Sequence, residues 1–192
     1  MEFNEKILNI IFFARGGQGA KTATEILAQA GIMEGKFVKA FPEFGPERSG
    51  APIKTYLRIS SSEIRTAEPI TKPSIIIVLD KTVLDGGEMT KNLEFGEDIL
   101  MIINTRKEKE EIKKLVPSFK GKIYTIDAST LALKIIGKPT PNVAILGYLV
   151  KITELVKLSN VSKAIENIFT DKIGKELTQK NILAMEKAYD SI

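Results

Sequence analysis

The chain has 192 residues, of which 43% are hydrophobic and 27% charged, the composition of an ordinary globular protein with its own core. Its net charge is only +4 and is spread along the chain, so a nucleic-acid-binding surface is not expected. Because the sequence contains neither Cys nor His, its own side chains cannot hold an iron–sulfur cluster, form a disulfide or supply a Ser-His-Asp triad.

The N-terminus and the apolar runs indicate a cytoplasmic protein. Residues 1–6 are acidic and polar, unlike the basic start of a secretory signal. The longest apolar runs, at 75–79 and 99–103, are far too short to span a bilayer. We therefore expect a cytoplasmic location, with no binding to membranes and none to nucleic acid.

The first third of the chain predicts a strand, a glycine turn, a helix and two further strands. Residues 7–14 form a nearly continuous apolar run, which predicts a strand buried on both faces, as in a parallel sheet. Residues 15–19 (Arg-Gly-Gly-Gln-Gly) then lead into Ala20–Met33, where apolar residues recur at helical spacing. Strands are also predicted at 37–41 and 53–59. The second of these alternates apolar and polar residues, which predicts one solvent-facing side and an antiparallel or edge position.

The rest of the chain alternates strands and helices up to about residue 140 and is helical after it. Strands are predicted at 74–79, 98–103 and Lys122–Ile126, and helices near 83–93, at 107–116 and at Ala128–Ile136. Three further helices are predicted at 142–158, 162–169 and 173–189. Because the first of these three is apolar on several faces, we expect it to lie in the core or under a partner.

This order of elements predicts an α/β fold. We expect one domain, residues 1–192, with a three-layer α/β/α arrangement around a mostly parallel, mixed sheet. The α/β core is expected at about 5–140, and the helical C-terminal part at about 141–192.

The first candidate site is the glycine turn between the first strand and the first helix. Its residues are Gly16, Gly17, Gln18 and Gly19, followed by Thr22 in the first helical turn. Glycines let a backbone approach a ligand closely, and a helix start offers free N–H groups to an anion. However, Thr22 stands where a dinucleotide-binding fingerprint has its third glycine, and the acidic residue about 20 positions later is missing. A ligand-binding turn and a tight turn without a ligand both remain possible.

The second candidate site is the loop at residues 41–52, which contains three prolines and two glycines. Its candidate residues are Glu47, Arg48, Ser49 and Gly50. Arg48 could bind a carboxylate or phosphate in bidentate fashion, or Glu47 and Arg48 could pair with each other or with the sheet edge. Both loops follow strands that we expect to be parallel neighbours, so we expect the loops to lie side by side.

Taken together, the two loops closely resemble those of the gamma subunits of pyruvate and branched-chain 2-oxoacid:ferredoxin oxidoreductases. The resemblance continues through residues 124–128, residues 141–147, Asn181 and Ala184, and so spans nearly the whole chain. Two positions depart from the family. Ala14 stands where glycine is usual, and Ser49 where a second arginine is frequent.

The resemblance implies a structural subunit within a larger enzyme. The complex of this family oxidatively decarboxylates a 2-oxoacid on thiamine pyrophosphate with Mg, passes electrons through iron–sulfur clusters to ferredoxin, and releases acyl-CoA. Its other subunits are alpha, beta and delta. The gamma chain is then expected to hold no cofactor alone, to supply no catalytic or metal-ligating residue, and to be inactive in isolation. The second loop points away from 2-oxoglutarate enzymes but does not separate pyruvate from 2-oxoisovalerate, and the direction of flux and the stoichiometry stay open.

Together with the helix-start glycines and Arg48, the resemblance implies a more specific role for the two loops. They could line the entrance to the thiamine site and help to hold the CoA pyrophosphate, or they could serve only as a docking surface for the partner subunits. The residues of the expected CoA site are Gly16, Gly17, Gln18, Gly19, Thr22, Glu47, Arg48, Ser49 and Gly50. A stand-alone Rossmann-like nucleotide-binding module is the alternative from a different class.

Overall fold

The computed structural model describes residues 7–43, 50–87 and 90–192. The strands are β1 Ile7–Arg15, β2 Phe37–Pro42, β3 Pro52–Ser60, β4 Ile75–Val78, β5 Leu100–Asn104 and β6 Lys122–Ile126. The helices are α1 Ala20–Met33, α2 Lys109–Leu115, α3 Ala128–Ile136, α4 Pro141–Thr153, α5 Leu158–Ile173 and α6 Lys175–Tyr189, and a short 3-10 helix spans Lys81–Leu84. No helix within these described ranges has the length and apolar content needed to cross a membrane.

The strands form one six-stranded sheet in the order β2-β3-β1-β4-β5-β6. Strand β1 pairs in parallel with β4, β4 with β5, and β5 with β6. Strand β3 runs antiparallel to both of its neighbours, β1 and β2. The sheet is therefore mostly parallel but mixed, as predicted. All strands except β3 run in the same direction, and their carboxyl ends lie together along one side of the sheet, its carboxyl edge.

Helices and connecting segments cover both faces of the sheet. On one face, Ile10 and Phe12 of β1 belong to the larger apolar cluster, which α1, α3, α4, α5 and α6 complete. On the other face, Ile11 and Phe13 belong to a smaller cluster that includes Ile112 of α2 and the 3-10 helix. Alternate side chains of one strand thus enter two different cores, which explains the continuous apolar run of β1. The predicted three-layer α/β/α arrangement is confirmed.

The prediction of a solvent-facing side on β3 is wrong. Tyr56 is 3% exposed and Arg58 is 6% exposed, and β3 lies inside the sheet rather than at its edge. The irregular segment after β3 covers this face: Ile70 packs in the same cluster as Tyr56, and the Glu68 carbonyl accepts a hydrogen bond of 2.8 Å from Arg58. The predicted antiparallel direction of β3 is correct.

The helix predicted near residues 83–93 is also wrong. Within the described part of this range the helical residues are those of the 3-10 helix Lys81–Leu84 and Thr90, because Gly86 and Gly87 both adopt positive φ angles, which an α-helix does not accommodate. Helix α4 likewise ends at Thr153 rather than near residue 158, since Glu154 has a left-handed φ of 51°.

Helix α4 is covered by its own chain. All but three of its residues are buried, and it packs against α1, α3 and α6. At Gly147 the helices α4 and α6 approach so closely that an added Cβ would lie 1.9 Å from the carbonyl oxygen of Met185. Of the two explanations for its apolar surface, the core explanation is therefore the one that holds.

Candidate functional site

The glycine turn joins the carboxyl end of β1 to α1 at the edge where the parallel strands end. Gly17 and Gly19 have φ angles of 93° and 80°, in the left-handed region that favours glycine. A Cβ on Gly17 would meet nothing within 4 Å, whereas a Cβ on Gly19 would lie 2.4 Å from Nδ2 of Asn142 in α4. Packing against α4 therefore explains Gly19, and the backbone at Gly17 is open to a ligand.

Gln18 holds the turn in place through its side chain. Its Oε1 accepts a hydrogen bond of 2.8 Å from the backbone N–H of Arg15, and its Nε2 donates one of 2.8 Å to Asp80. Asp80 also accepts from the N–H and the hydroxyl of Thr82, at 2.9 and 2.7 Å. Burial raises the pKa of Asp80, but these hydrogen bonds and the charge of Arg15 outweigh it and hold the pKa below its usual value. Both polar groups of Gln18 are thus engaged within the protein.

The start of α1 has the features of an anion site. Its N-cap is Gly19, which provides no side chain to accept from the first-turn N–H groups, and the first turn contains no acidic residue. Lys21 is exposed in that turn, and Thr22 is half-buried beside it. Uncapped N–H groups and the positive end of the helix dipole both favour a negatively charged ligand here.

The end of the second loop is hydrogen-bonded to the glycine turn. The N–H of Gly50 donates to the Gly16 carbonyl at 3.2 Å, and the N–H of Gly16 donates to the Ala51 carbonyl at 2.8 Å. A third bond, of 3.0 Å, runs from Nη1 of Arg15 to the Gly50 carbonyl. The structure therefore brings Gly16 and Gly50 together. Three other candidate residues, Glu47, Arg48 and Ser49, lie outside the described residues.

The two loops meet for a different reason from the one predicted. Strands β1 and β2 are not neighbours, because β3 lies between them. The contact arises because β3 runs antiparallel to β1 and places Pro52 opposite Arg15. The expectation of neighbouring parallel strands was therefore wrong, although the described end of the second loop does lie beside the glycine turn.

Arg15 and Thr82 are site residues that sequence reasoning missed. Nε of Arg15 donates to the Thr82 hydroxyl at 2.8 Å and lies 3.8 Å from Asp80, so Arg15 connects both loops to the 3-10 helix. One signal in the sequence could have indicated them. Asp80 directly follows a predicted buried strand, and because the carboxyl ends of parallel strands lie together, residues next to Asp80 were candidates for the same site.

A cavity of about 440 Å³ continues from Gln18 along the same edge of the sheet. Its lining includes Asp80, Asn104, Arg106 and Asp127, which follow or end the strands β4, β5 and β6. These groups bond to the protein itself: Asn104 donates to the Leu79 carbonyl at 2.8 Å, and Arg106 donates to Asp127 at 2.7 Å. The crevice therefore has the position of a ligand site in an open α/β sheet, with most of its polar groups paired.

Among residues 7–43, 50–87 and 90–192, no three or more Asp or Glu side chains come together in a group that could hold a metal ion.

Comparison with known proteins identifies the family. Residues 9–191 match the family model described as pyruvate ferredoxin/flavodoxin oxidoreductase. The chain belongs to this family. It is 41% identical over 184 residues to the pyruvate/ketoisovalerate oxidoreductases common subunit gamma of Pyrococcus furiosus, covering 96% of each chain. It is 36% identical to the pyruvate synthase subunit PorC of Thermotoga maritima, covering 100% of this chain and 98% of that one.

Solved structures of the family agree with this placement. The crystal structure of the pyruvate oxidoreductase subunit PORC of Thermotoga maritima aligns with a TM-score of 0.83 at 35% identity, covering 97% of both chains. The chain is thus a gamma-type subunit of the family, as the two loops predicted. A 2-oxoglutarate:ferredoxin oxidoreductase of Magnetococcus marinus, solved with 2-oxoglutarate, coenzyme A and succinyl-CoA bound, aligns with a TM-score of 0.77 at 20% identity. That alignment covers 98% of this chain and 32% of the other, and shows the shared fold alone.

Proposed function

We propose that this chain is the gamma subunit of a complex that converts pyruvate or a branched-chain 2-oxoacid, CoA and oxidised ferredoxin to acyl-CoA, CO2 and reduced ferredoxin. Whole-length similarity to pyruvate/ketoisovalerate subunits gamma and to pyruvate synthase subunits supports this assignment. In such a complex thiamine pyrophosphate, bound with Mg, would supply the decarboxylation chemistry and iron–sulfur clusters the electron transfer, and the alpha, beta and delta subunits would carry them. This chain contains no Cys that could ligate a cluster.

The proposed role of this chain within the complex is to line the entrance for CoA with its two loops. The observation that carries this role is the direct bonding of Gly50 to Gly16, beside the uncapped start of α1. A pyrophosphate at this place would accept hydrogen bonds from the first-turn N–H groups of α1 and lie near the exposed Lys21. The proposal also assigns to this anion the guanidinium of Arg48, which precedes Gly50 by two positions in the sequence.

A specific observation favours the alternative, in which the loops only dock partner subunits. Both polar groups of Gln18 bond within the protein, to Arg15 and Asp80, rather than pointing at a ligand. The two roles differ in what a loop variant changes. A docking role affects assembly of the complex, whereas a CoA-binding role affects the KM for CoA in a complex that remains assembled.

The test is the variant Arg48→Ala in the reconstituted complex, with KM for CoA, KM for the 2-oxoacid and kcat measured separately. A hydrogen bond to a charged group contributes about 1.5–3 kcal/mol, so we expect the KM for CoA to rise about 10- to 150-fold. The KM for the 2-oxoacid should not change. Arg65→Ala is the matched control, because Arg65 is an exposed arginine whose ion pair is with Glu63.

Each outcome separates the two roles. An assembled complex whose KM for CoA is unchanged would reject the CoA-binding role of the loops. Loss of assembly with Arg48→Ala, but not with Arg65→Ala, would identify the second loop as a docking surface instead.

A further inference from the structure

Strand β6 forms one edge of the sheet, and among the described residues its one partner strand is β5. The N–H of Lys122 donates to the Ile99 carbonyl at 2.9 Å, and the Ile126 carbonyl accepts from Thr105 at 2.8 Å, both on the inner side. In a parallel ladder, the residues of one strand direct their main-chain groups alternately to its two sides. Ile123 and Thr125 therefore direct their N–H and C=O groups to the outer edge.

One of these outward groups has a partner and the others do not. The Thr125 carbonyl accepts a hydrogen bond of 3.1 Å from the hydroxyl of Tyr148 on α4, which confirms its outward direction. Within the described part of the chain, the N–H and C=O of Ile123 and the N–H of Thr125 have no hydrogen-bond partner. The edge of β6 thus offers an acceptor between two donors, the pattern that an added strand requires. At the opposite edge, Pro42 of β2 has no N–H to offer.

An open groove of about 560 Å³ runs along this edge. It lies between α2 and α4, and its lining includes Glu108, Lys109, Lys113, Lys122, Tyr124 and Tyr148. Three of these are exposed lysines and one is an exposed glutamate. Lys113 and Lys122 have no ion pair within the described residues, and Lys109 lies 3.9 Å from Glu110 at the surface. The groove is therefore positively charged.

The positive charge of the groove favours an acidic occupant over a second copy of this chain. Edge pairing between two copies of this chain would bring the lysines of one groove against those of the other, and like charges oppose that contact. An acidic segment would neutralise the lysines, and an extended one would also satisfy the unpaired main-chain groups. Tyr148 fixes one end of the available edge, because its hydroxyl already occupies the Thr125 carbonyl.

We infer that an extended acidic segment of a partner subunit binds in this groove as a seventh strand along β6. The inference rests on the proposed function, because it takes the partner from the same complex. The β6 groove would then serve assembly of the complex. It is a different surface from the two loops at the carboxyl edge of the sheet.

The first test is a double charge reversal, Lys113→Glu with Lys122→Glu. The isolated variant chain is titrated into complex from which this subunit has been removed, and reassembly is measured at low and high salt. We expect the concentration for half-maximal reassembly to rise about tenfold at low salt, with a smaller difference at high salt. The control is Lys163→Glu with Lys172→Glu, which makes the same charge change at exposed positions on α5. Equal reassembly of both variants would overturn the inference.

The second test measures amide hydrogen exchange at Ile123 and Thr125. In the free chain these amides should exchange rapidly, and in the assembled complex at least about tenfold more slowly, because an added strand would accept their hydrogen bonds. Assembly with unchanged exchange would overturn the added strand while leaving the proposed function intact. Failure of the wild-type chain to assemble with any partner would overturn both.

Discussion

The close approach of α4 and α6 at Gly147 leads to a quantitative prediction for Gly147→Ala. A Cβ built at this position would lie 1.9 Å from the carbonyl oxygen and 2.8 Å from the carbonyl carbon of Met185. Carbon and oxygen atoms in contact are normally about 3.3 Å apart, so the two helices would have to separate locally by about 1.4 Å. The obstructing atoms belong to the backbone of α6, which cannot rotate away as a side chain would.

The magnitude follows from two opposing effects. Alanine is better than glycine in a helix by about 1 kcal/mol, whereas overpacking in a core costs about 1–3 kcal/mol, here at its upper end. The free energy of unfolding should therefore fall by about 2 kcal/mol, and Tm by about 4–8 °C for a chain of this length. Thermal and urea unfolding of the full chain measure this change.

Gly96→Ala is the matched control, because a Cβ at Gly96 would meet nothing within 4 Å. We expect its unfolding free energy to stay within about 0.5 kcal/mol of the wild type. If Gly147→Ala left Tm unchanged or raised it, the clash with α6 would not outweigh the gain in helix propensity. That result would contradict the close packing of α4 against the backbone of α6 at Gly147.

Three further predictions concern single side chains. Gly19→Ala should lower the unfolding free energy by about 1–2 kcal/mol, because alanine is strained at positive φ and its Cβ would displace Asn142; urea unfolding checks this. Glu34→Gln should destabilise the chain at pH 7, and the difference from wild type should shrink as pH falls below the ordinary value of 4.5, because hydrogen bonds led by that from the Lys157 N–H outweigh burial and lower the pKa of Glu34. A constant difference in unfolding free energy from pH 7 to pH 3 would contradict that prediction. Arg58→Met should change the unfolding free energy by less than about 2 kcal/mol, because loss of the hydrogen bond to the Glu68 carbonyl is offset by removal of a buried guanidinium whose Nη1 has no described partner; a larger loss in urea unfolding would contradict this.

The bounds of a helix or strand could be predicted from the sequence where neighbouring residues determine them. Helix α3 has the predicted bounds because Asp127 caps its start, accepting from the Thr130 N–H at 3.0 Å, and Gly137 ends it at a φ of 85°. Strand β6 likewise has its predicted bounds. Predictions from the sequence were wrong where segments far away in the chain determine whether a side chain is buried. The alternation in β3 indicated a wet face, but a segment without regular structure covers Arg58.

The candidate site also has a part that the sequence predicts and a part that it does not. The glycine turn was predictable because a strand, a glycine-rich stretch and a helix follow one another in the chain. The bonds of Arg15 to Thr82 and Gly50 join positions 67 and 35 residues apart, and no local pattern encodes them. The same holds for Gly19, whose close neighbour Asn142 is 123 residues away.

We propose above that this chain works as the gamma subunit of a 2-oxoacid:ferredoxin oxidoreductase. The most direct test is anaerobic purification of the tagged chain from cells that make it, followed by viologen reduction with pyruvate, 2-oxoisovalerate or 2-oxoglutarate, with and without CoA. We expect larger, brown, thiamine-containing partners to purify with the chain, and CoA-dependent viologen reduction with pyruvate or 2-oxoisovalerate. Recovery of the chain alone, without partners or activity, would contradict it and would favour a free-standing nucleotide-binding module.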